Sequence, residues 1–336
     1  MNVFELTRRL IDIESVTPNE EAVGDWLFDH LQPLVTAHGG RIEKIEVEPR
    51  RNNIFAYWGD APVVTLSTHL DTVPPWFGSS EDDEFIWGRG ACDVKGIIAS
   101  MIHAARELLA QGVKNFGLLF VVGEERNSAG AYFAGKNSRG AKFIVNGEPT
   151  SNKLALGSKG ALRYEIEASG KMAHSAYPEL GESAILKLLD ALQAARGIAL
   201  PTHPTLGAST MNIGIIGGGR APNVIPDDAR AELLIRLVDD GVATKQAFAA
   251  LGPAHGVDVN EVLCIPAVRL GSLPGFETCV VSYTTDIPAF GTAWGQPFLL
   301  GPGSIDVAHT SEERVPKKEL IEAVGLYAGL VKGLLQ

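Results

Sequence analysis

The stretch VVTLSTHLD, residues 63–71, joins a short apolar run to a histidine and an aspartate. The apolar run predicts a buried strand. His69 and Asp71 follow it two residues apart, so on an extended backbone their side chains point the same way. Ligands of α/β proteins bind in the crevice outside the carboxyl ends of the strands. An isolated H-x-D pair is better explained as a hydrogen-bonded surface pair, so the stretch indicates a site only together with similar strand ends.

Short apolar runs alternate with helical patterns around this stretch. Strand-like runs occupy residues 41–47, 53–58, 63–68, 116–122, 143–145 and 298–300. Helical spacing of apolar residues covers 3–11, 97–109 and 318–335, and a further helix is expected after a Thr17-Pro18-Asn19 cap. Residues 116–122, 143–145, 298–300 and part of 63–67 are short, fully apolar runs, which indicates strands buried on both faces. The pattern therefore predicts an α/β fold with a mixed sheet flanked by helices.

The pattern changes between residues 160 and 266. Here residues 162–168 alternate with period two, and Gly217-Gly218-Gly219 is expected to be a flexible connection. The expected elements are a helix over 183–195 and half-exposed strands over 209–216, 229–237 and 257–264. We therefore predict a smaller α+β domain over 160–266, inserted into a catalytic core of residues 1–159 and 267–336.

The composition limits the classes of partner. The 336 residues are 45% hydrophobic and 21% charged, which is typical of a soluble enzyme of about two domains. Lys+Arg 29 against Asp+Glu 40 gives a net charge of −11, which disfavours nucleic acid and anionic membranes and favours a small-molecule substrate. Three cysteines without paired spacing favour a cytoplasmic location. No apolar run approaches the length of about 20 residues that spans a bilayer.

Four further strand ends carry acidic residues or histidine, whereas phosphate-loop, dinucleotide and serine-hydrolase motifs are absent. These strand ends hold Asp93, the pair Glu124 and Glu125, Glu148, and His309. Asp93 lies in a Gly-rich turn, where capping of the next helix is the alternative role. Glu124 and Glu125 leave the most apolar strand side by side. Burial of two adjacent carboxylates requires a nearby positive charge, most naturally a divalent cation.

These side chains match the coordination needs of two zinc ions. Two ions that share one carboxylate, each with one histidine and one further carboxylate, need two histidines and three acids. The strand ends supply His69, Asp93, Glu125, Glu148 and His309. Glu124 is left over. Imidazole with carboxylate suits Zn²⁺ or Co²⁺, whereas an all-oxygen Mg²⁺ or Ca²⁺ site would not recruit two histidines.

As an ordered set, these motifs resemble the co-catalytic zinc aminoacylases and exopeptidases, which include acetylornithine deacetylase, succinyl-diaminopimelate desuccinylase and glutamate carboxypeptidase. The resemblance covers nearly the whole chain and implies a zinc exopeptidase-like core with an inserted lid that forms a homodimer. It implies that Glu124 is the general base and that Asp71 orients a metal-binding histidine. The implied ligands are His69 and Glu148 for the first zinc, Glu125 and His309 for the second, and Asp93 between them.

The inserted segment resembles the same family. Residues 170–178, GKMAHSAYP, are similar to the segment whose histidine, here His174, reaches the partner subunit's active site and stabilises the oxyanion. Asn223 and Arg236 lie in segments that resemble those binding the substrate carboxylate, and Gly303 is a further candidate for substrate binding. Without the resemblance, His174 would be interpreted as a loop histidine and Arg236 as part of the polar face of a strand.

The resemblance also implies a reaction. Residues 299–309, LLGPGSIDVAH, are most similar to acetylornithine deacetylase, so hydrolysis of N-acetylornithine to ornithine and acetate, a step of arginine biosynthesis, is the first expectation. The same chemistry leaves N-acetylcitrulline, N-acetyl-lysine, N-succinyl-diaminopimelate, and the substrates of a dipeptidase or carboxypeptidase open. The alternative from another class is an inactive binding homologue. Competent residues at every position that the chemistry needs favour the enzyme.

Overall fold

A computed structural model describes all 336 residues of the chain. The chain folds into two compact units, each with most of its residue contacts within itself. The first unit comprises Met1–Leu156, Leu270–Cys279 and Thr285–Gln336. The second comprises Gly157–Arg269 and Val280–Thr284, and is therefore an insertion into the sequence of the first. None of the helices combines the length and the apolar character that crossing a membrane requires.

A six-stranded mixed sheet forms the centre of the first unit. Across the sheet its strands are Arg41–Glu48, Arg51–Trp58, Phe116–Val121, Val64–His69, Phe143–Asn146 and Gln296–Leu299. The last four are parallel, and the first two join them by antiparallel pairing. Because parallel strands end at the same edge of a sheet, the segments that follow those four strands start from one edge.

Helices cover both faces of this sheet. Ile54 and Leu118 belong to one buried cluster, whereas their neighbours Phe55 and Leu119 belong to another, as the two-residue period of a strand dictates. The helices are Val3–Ile11, Glu21–Ala37, Gly96–Ala110, Ala129–Lys136, Ile287–Phe290 and Lys317–Leu335. A small antiparallel sheet comprises Ser80–Glu81, Phe85–Trp87 and Arg314–Pro316. The prediction of a mixed sheet flanked by helices is confirmed.

A four-stranded antiparallel sheet forms the second unit. Its strands are, in order, Thr210–Gly218, Asp228–Leu237, Gly160–Ser169 and Val257–Ile265. The helix Ala184–Arg196 begins after Ser183, whose hydroxyl accepts the N–H of Leu186 at 3.3 Å, and it buries its apolar face in the unit's core. The remaining helical elements are Pro178–Leu180, Val242–Ala249 and Leu251–His255. The remaining short strands of the chain are Leu154–Ser158, Ala173–His174, Thr202–His203, Gly207–Ala208, Val224–Ile225, Val268–Arg269 and Thr278–Val281.

Two local predictions are wrong. The helix Glu21–Ala37 has no side-chain cap because its N-cap position is Glu20 and residues 17–19 lie before it; the Thr17 hydroxyl donates to the carboxylate of Asp71 at 2.7 Å. The strand Thr210–Gly218 includes the first two glycines of the expected connection at 217–219, because they still pair with residues of the neighbouring strand. Glycine lowers strand propensity, but here the ladder of backbone hydrogen bonds outweighs it.

Candidate metal centre

Three buried side chains from separate segments form a first group of metal-ligand atoms. His69 ends one parallel strand, Glu148 follows the next, and Asp93 lies in a turn before a helix. Ligand atoms of these three residues lie within 4.8 Å of one another, and His69 Nε2 is 3.1 Å from Asp93 Oδ1. The helix Gly96–Ala110 has no side-chain cap. Asp93 therefore faces the histidine instead of capping the helix.

A second group of ligand atoms shares Asp93 with the first. It consists of Asp93, Glu125 and His309. His309 Nε2 lies 3.2 Å from Asp93 Oδ2 and 3.0 Å from Glu125 Oε1. The two carboxylate oxygens of Asp93 thus face different histidines. The His309 side chain is 50% exposed and that of His69 is 1% exposed, so the second group lies closer to solvent.

Asp71 joins the His69 strand end to the turn that carries the adjacent glutamates. Its carboxylate accepts the backbone N–H groups of Gly123 at 3.0 Å, Glu124 at 3.1 Å and Glu125 at 3.1 Å. Its Oδ1 also lies 3.5 Å from Nδ1 of His69. Asp71 therefore holds both a histidine and the turn that presents the two glutamates.

The charges in this cluster do not balance within the protein. Burial alone would lower the pKa of His69, but the carboxylates of Asp71 and Asp93 raise it well above its usual value. Hydrogen bonds to Asp93 and Glu125 raise the pKa of His309 to about 10. Burial raises the pKa of Glu148 well above its usual value. The carboxylates therefore lack enough nearby positive charge.

The arrangement fits two divalent cations. Each group offers one imidazole nitrogen and two carboxylates, and Asp93 belongs to both groups. Zn²⁺ and Co²⁺ prefer such mixed nitrogen and oxygen donors. Glu124 belongs to neither group, although burial raises its pKa well above the usual value and the nearby Glu148 contributes to the shift. A partly buried carboxyl group that belongs to neither group is thus held beside them.

Lys95 supports the site and was missed by the sequence analysis. Its ammonium donates to the Ser15 hydroxyl at 2.6 Å and to the carbonyl of Leu70, the residue between His69 and Asp71. Burial lowers the pKa of Lys95 to about 7. Its position two residues after Asp93 offered no signal, because a surface lysine at the start of a helix gives the same sequence.

Three other buried polar residues lie beside the site and were given no role in the sequence-based prediction, although Asp286 belongs to a segment, residues 283–286, that resembles acetylornithine deacetylase. Asn146 Nδ2 donates to Glu148 Oε1 at 3.3 Å, and Glu313 Oε1 accepts the backbone N–H of Asp93 at 3.2 Å. Asp286 is buried, and burial raises its pKa to about 7. For the other two, the only available signal was position: Asn146 precedes Glu148 by two residues, and Glu313 follows His309 by four.

In the second unit, the segments that carry His174 and Asn223 are paired. His174 lies opposite Val224 in a two-stranded ladder, and the N–H of Ser175 donates to the carbonyl of Asn223 at 3.0 Å. The His174 side chain is exposed, and its Nδ1 accepts the N–H of Ala176 at 3.1 Å. This contact engages one of the two ring nitrogens.

Arg236 and Gly303 complete the predicted set. Arg236 lies near the end of the strand Asp228–Leu237, and burial lowers its pKa with no neighbouring carboxylate to offset the loss of hydration. Gly303 lies in the first unit, where its N–H donates to Glu319 Oε2 and its carbonyl accepts the N–H of Ser151, both at 2.7 Å. Its backbone polar groups are thus engaged within the chain, and its role in substrate binding stays a prediction.

Fold and site together define a class. A mixed α/β sheet with imidazole and carboxylate ligands clustered where its parallel strands end is the architecture of a zinc exopeptidase-like metallohydrolase. Residues 156–251 match the M20 peptidase dimerisation domain. The fold of aminopeptidase PepT from Bacillus cereus matches with a TM-score of 0.80 at 19% identity, covering 100% of this chain and 98% of that chain.

Two curated relatives extend the match to the whole chain. Identity is 36% with a peptidase M20 domain-containing protein of Schizosaccharomyces pombe, over 98% of this chain and 84% of that protein. It is 35% with a probable carboxypeptidase of Emericella nidulans, over 99% of this chain and 89% of that protein. The chain belongs to the M20 peptidase family. The expected family is thereby confirmed, whereas special closeness to acetylornithine deacetylase stays a prediction.

Proposed function

We propose that this protein is a metal-dependent hydrolase that cleaves the amide bond between an acyl group and an amino acid whose α-carboxylate is free. N-acyl-amino acids and the C-terminal bonds of peptides share this arrangement. The observation that carries the proposal is the pair of ligand groups sharing Asp93, with Glu124 partly buried beside them as a member of neither group. The proposed ligands are His69 and Glu148 at one ion, and Glu125 and His309 at the other.

Glu124 is the proposed general base. When bound, two Zn²⁺ or Co²⁺ ions would polarise the scissile carbonyl and supply a water of lowered pKa. The Glu124 carboxylate takes a proton from the attacking water and passes it to the leaving amine. Asp71 holds the Glu124 backbone N–H at 3.1 Å. The base is therefore positioned by the residue that also contacts His69.

The inserted domain, residues 160–266, is the proposed lid and dimerisation domain. Its match to a peptidase dimerisation domain supports this role. Exposed His174 is proposed to reach the active site of the partner subunit and to stabilise the oxyanion. Asn223 and Arg236 are proposed to bind the substrate carboxylate, because a planar guanidinium binds both oxygens at once.

Two substrate classes fit this site. The probable carboxypeptidase at 35% identity favours a short peptide cleaved at its C-terminal residue. Residues 299–309 favour N-acetylornithine, by their likeness to acetylornithine deacetylase. Both substrates place a free carboxylate on the leaving amine. Because the probable carboxypeptidase matches 99% of this chain, whereas the likeness to acetylornithine deacetylase rests on residues 299–309, peptides come first and N-acetylornithine is the second candidate.

The test is amine release from a substrate panel. The panel contains dipeptides with a free C-terminal carboxylate, the C-terminal amides of the same dipeptides, N-acetylornithine, N-acetylcitrulline, N-acetyl-lysine and N-succinyl-diaminopimelate, each with Zn²⁺ or Co²⁺ and with a chelator. Chelator-sensitive release from a substrate with a free carboxylate, and none from its C-terminal amide, is the expected result. Two bound metals without turnover of any member would contradict the proposed reaction and favour a binding protein.

A further inference from the structure

A buried ion pair lies behind the shared aspartate. Glu313 is 0% exposed and Arg89 is 2% exposed, and Arg89 Nη1 donates to Glu313 Oε2 at 2.6 Å. The other oxygen of Glu313 accepts the backbone N–H of Asp93 at 3.2 Å. One carboxylate thus divides its two oxygens between a buried cation and the residue common to both ligand groups.

The same pair connects three segments that carry site residues. Arg89 Nε donates to the carbonyl of Pro75, four residues beyond Asp71, at 3.1 Å. The carbonyl of Glu313 accepts the N–H of Gly88 at 3.1 Å. Glu313 itself lies four residues beyond His309. The contacts therefore tie the Asp71, Asp93 and His309 segments to one another.

We propose that Glu313, held by Arg89, is a positioning residue that fixes the Asp93 backbone so that its two oxygens face two metal ions. The side chain of Asp93 can face both His69 and His309 only if its backbone is fixed between them. A hydrogen bond from the Asp93 N–H to a buried, charged acceptor supplies that constraint, since charge-assisted hydrogen bonds are the strong ones. The inference rests on the proposed metal centre but not on the substrate.

Glutamine at position 313 offers a sharp test, because it has one acceptor oxygen where glutamate has two. In Glu313→Gln the Arg89 guanidinium takes the amide oxygen, and the amide NH₂ then faces the N–H of Asp93. Two donors facing each other release the Asp93 backbone. In the double variant Arg89→Met with Glu313→Gln, the amide oxygen is free to accept the Asp93 N–H again.

A second buried Arg–Glu pair supplies the matched control. Glu20 is 0% exposed and receives Arg51 Nη2 at 2.5 Å and Nε at 2.8 Å. Neither Glu20 oxygen accepts a hydrogen bond from a ligand segment. Glu20→Gln therefore disturbs a comparable buried pair without releasing Asp93.

The experiment measures Zn²⁺ and Co²⁺ binding by calorimetry and the visible spectrum of the Co²⁺-loaded protein, with circular dichroism and thermal unfolding in parallel. We expect Glu313→Gln to weaken binding of both ions by about tenfold or more, the range found when outer contacts of metal ligands are removed, and to shift the Co²⁺ spectrum. The double variant should regain most of the affinity. Glu20→Gln should unfold at a lower temperature but bind metal as the wild type does.

Wild-type affinity in Glu313→Gln, or a loss no larger than in Glu20→Gln, would overturn the proposal and leave the pair a purely structural contact. If the single variant does not fold, the double variant decides: wild-type-like binding supports the proposal and loss of both ions overturns it. A wild type that binds two ions but hydrolyses no panel member would contradict the proposed function and leave the Glu313 comparison intact. A wild type that binds no divalent ion would overturn both.

Discussion

The first unit gathers its candidate residues into two ligand groups, whereas the second unit gives its candidates no charged partner. In the first, ligand atoms of five residues from separate segments gather into two groups within 4.8 Å. In the second, the side chains of His174 and Asn223 are exposed and Arg236 has no carboxylate partner. The comparison shows that the segments of the first unit bring its candidate ligands together within one chain. The proposed roles of the second set depend on substrate or on a second subunit.

The largest expected effect separates chemistry from metal binding inside the first unit. Glu124→Gln keeps the size of the side chain but removes its basicity. A general base contributes about 10²–10⁴-fold, so we expect kcat to fall by about 10³-fold while both metal ions stay bound. Turnover of the best panel substrate and metal content per subunit measure the two effects.

Glu312→Gln is the control for this change, because Glu312 is an exposed glutamate of the same unit and contacts no ligand. It should leave kcat and metal content unchanged. An undiminished rate in Glu124→Gln would remove Glu124 from the mechanism, and loss of a metal ion would make it a ligand instead.

The next effect tests whether the second unit acts across a dimer. His174→Ala should lower kcat by about 10²–10³-fold, the size found when one oxyanion donor is removed, without loss of metal. Hybrid dimers of His174→Ala with Glu124→Gln should regain activity, because one of their two sites combines an intact base with an intact partner histidine. Rates of mixed and separate preparations measure this.

Absence of recovery in the mixture, with dimers present by light scattering, would contradict action across the dimer. Full activity of the single His174→Ala variant would remove the histidine from the reaction altogether. Ser175→Ala is a neighbouring control, since the Ser175 backbone pairs with Asn223 whatever its side chain.

The fold could be predicted from local pattern because its central strands are short and carry apolar residues between turns. Val64–His69 and Phe116–Val121 are buried at every position, as expected for strands covered on both faces. The wrong predictions concern contacts between distant residues. Thr17 is a good cap in isolation, but Asp71, 54 residues away, offers its hydroxyl a stronger, charged acceptor.

The site could be predicted as far as the strand-end rule reaches. His69, Glu148 and His309 follow parallel strands, and counting donors matched the whole set to two ions, but the division of the set between the ions came from the family resemblance. Lys95 and Glu313 could not be found in this way, because their roles lie in hydrogen bonds to backbone groups brought near only by folding. In the second unit, His174 has no chemical partner in its own segment, so resemblance alone pointed to it.

The charges in the first unit predict how metal binding depends on pH. The raised pKa values keep protons on His69 and His309 of the metal-free protein at neutral pH, and a metal ion must displace them. Affinity should rise by about tenfold per pH unit for each displaced proton, so by about 100-fold or more between pH 6 and 8. Calorimetry in buffers of different ionisation enthalpy measures the affinity and the protons released.

The same raised histidine pKa values determine how the stability of the metal-free protein changes with pH. A histidine whose pKa is raised on folding stabilises the protein fully below its unfolded pKa, and this contribution is lost as pH rises through the folded value. The metal-free protein should therefore lose thermal stability between about pH 6.5 and pH 10. His309 should contribute only modestly, because its side chain is half exposed and screened by solvent, and the buried His69, whose pKa is also raised, adds a loss of the same sign. Equal pH dependence with and without metal would contradict the assignment.

The smallest expected effect tests whether Arg236 of the second unit binds the substrate carboxylate. Arg236→Met keeps the half-buried stem but removes the charge. A hydrogen bond to a charged group contributes about 1.5–3 kcal/mol, so kcat/KM for a free-carboxylate substrate should fall by about 10–100-fold, mostly through KM. The C-terminal amide of the same substrate should react equally slowly with both enzymes.

Arg163→Met provides the comparison within the same sheet, because Arg163 is paired with Glu232 and is 47% exposed. It should leave KM unchanged, as exposed ion pairs contribute little. If Arg236→Met discriminates against the amide as strongly as the wild type does, Arg236 does not bind the carboxylate. Arg236 would then have only a structural role in the sheet, and His174 and Asn223 would be the remaining candidates of the second unit for contact with substrate.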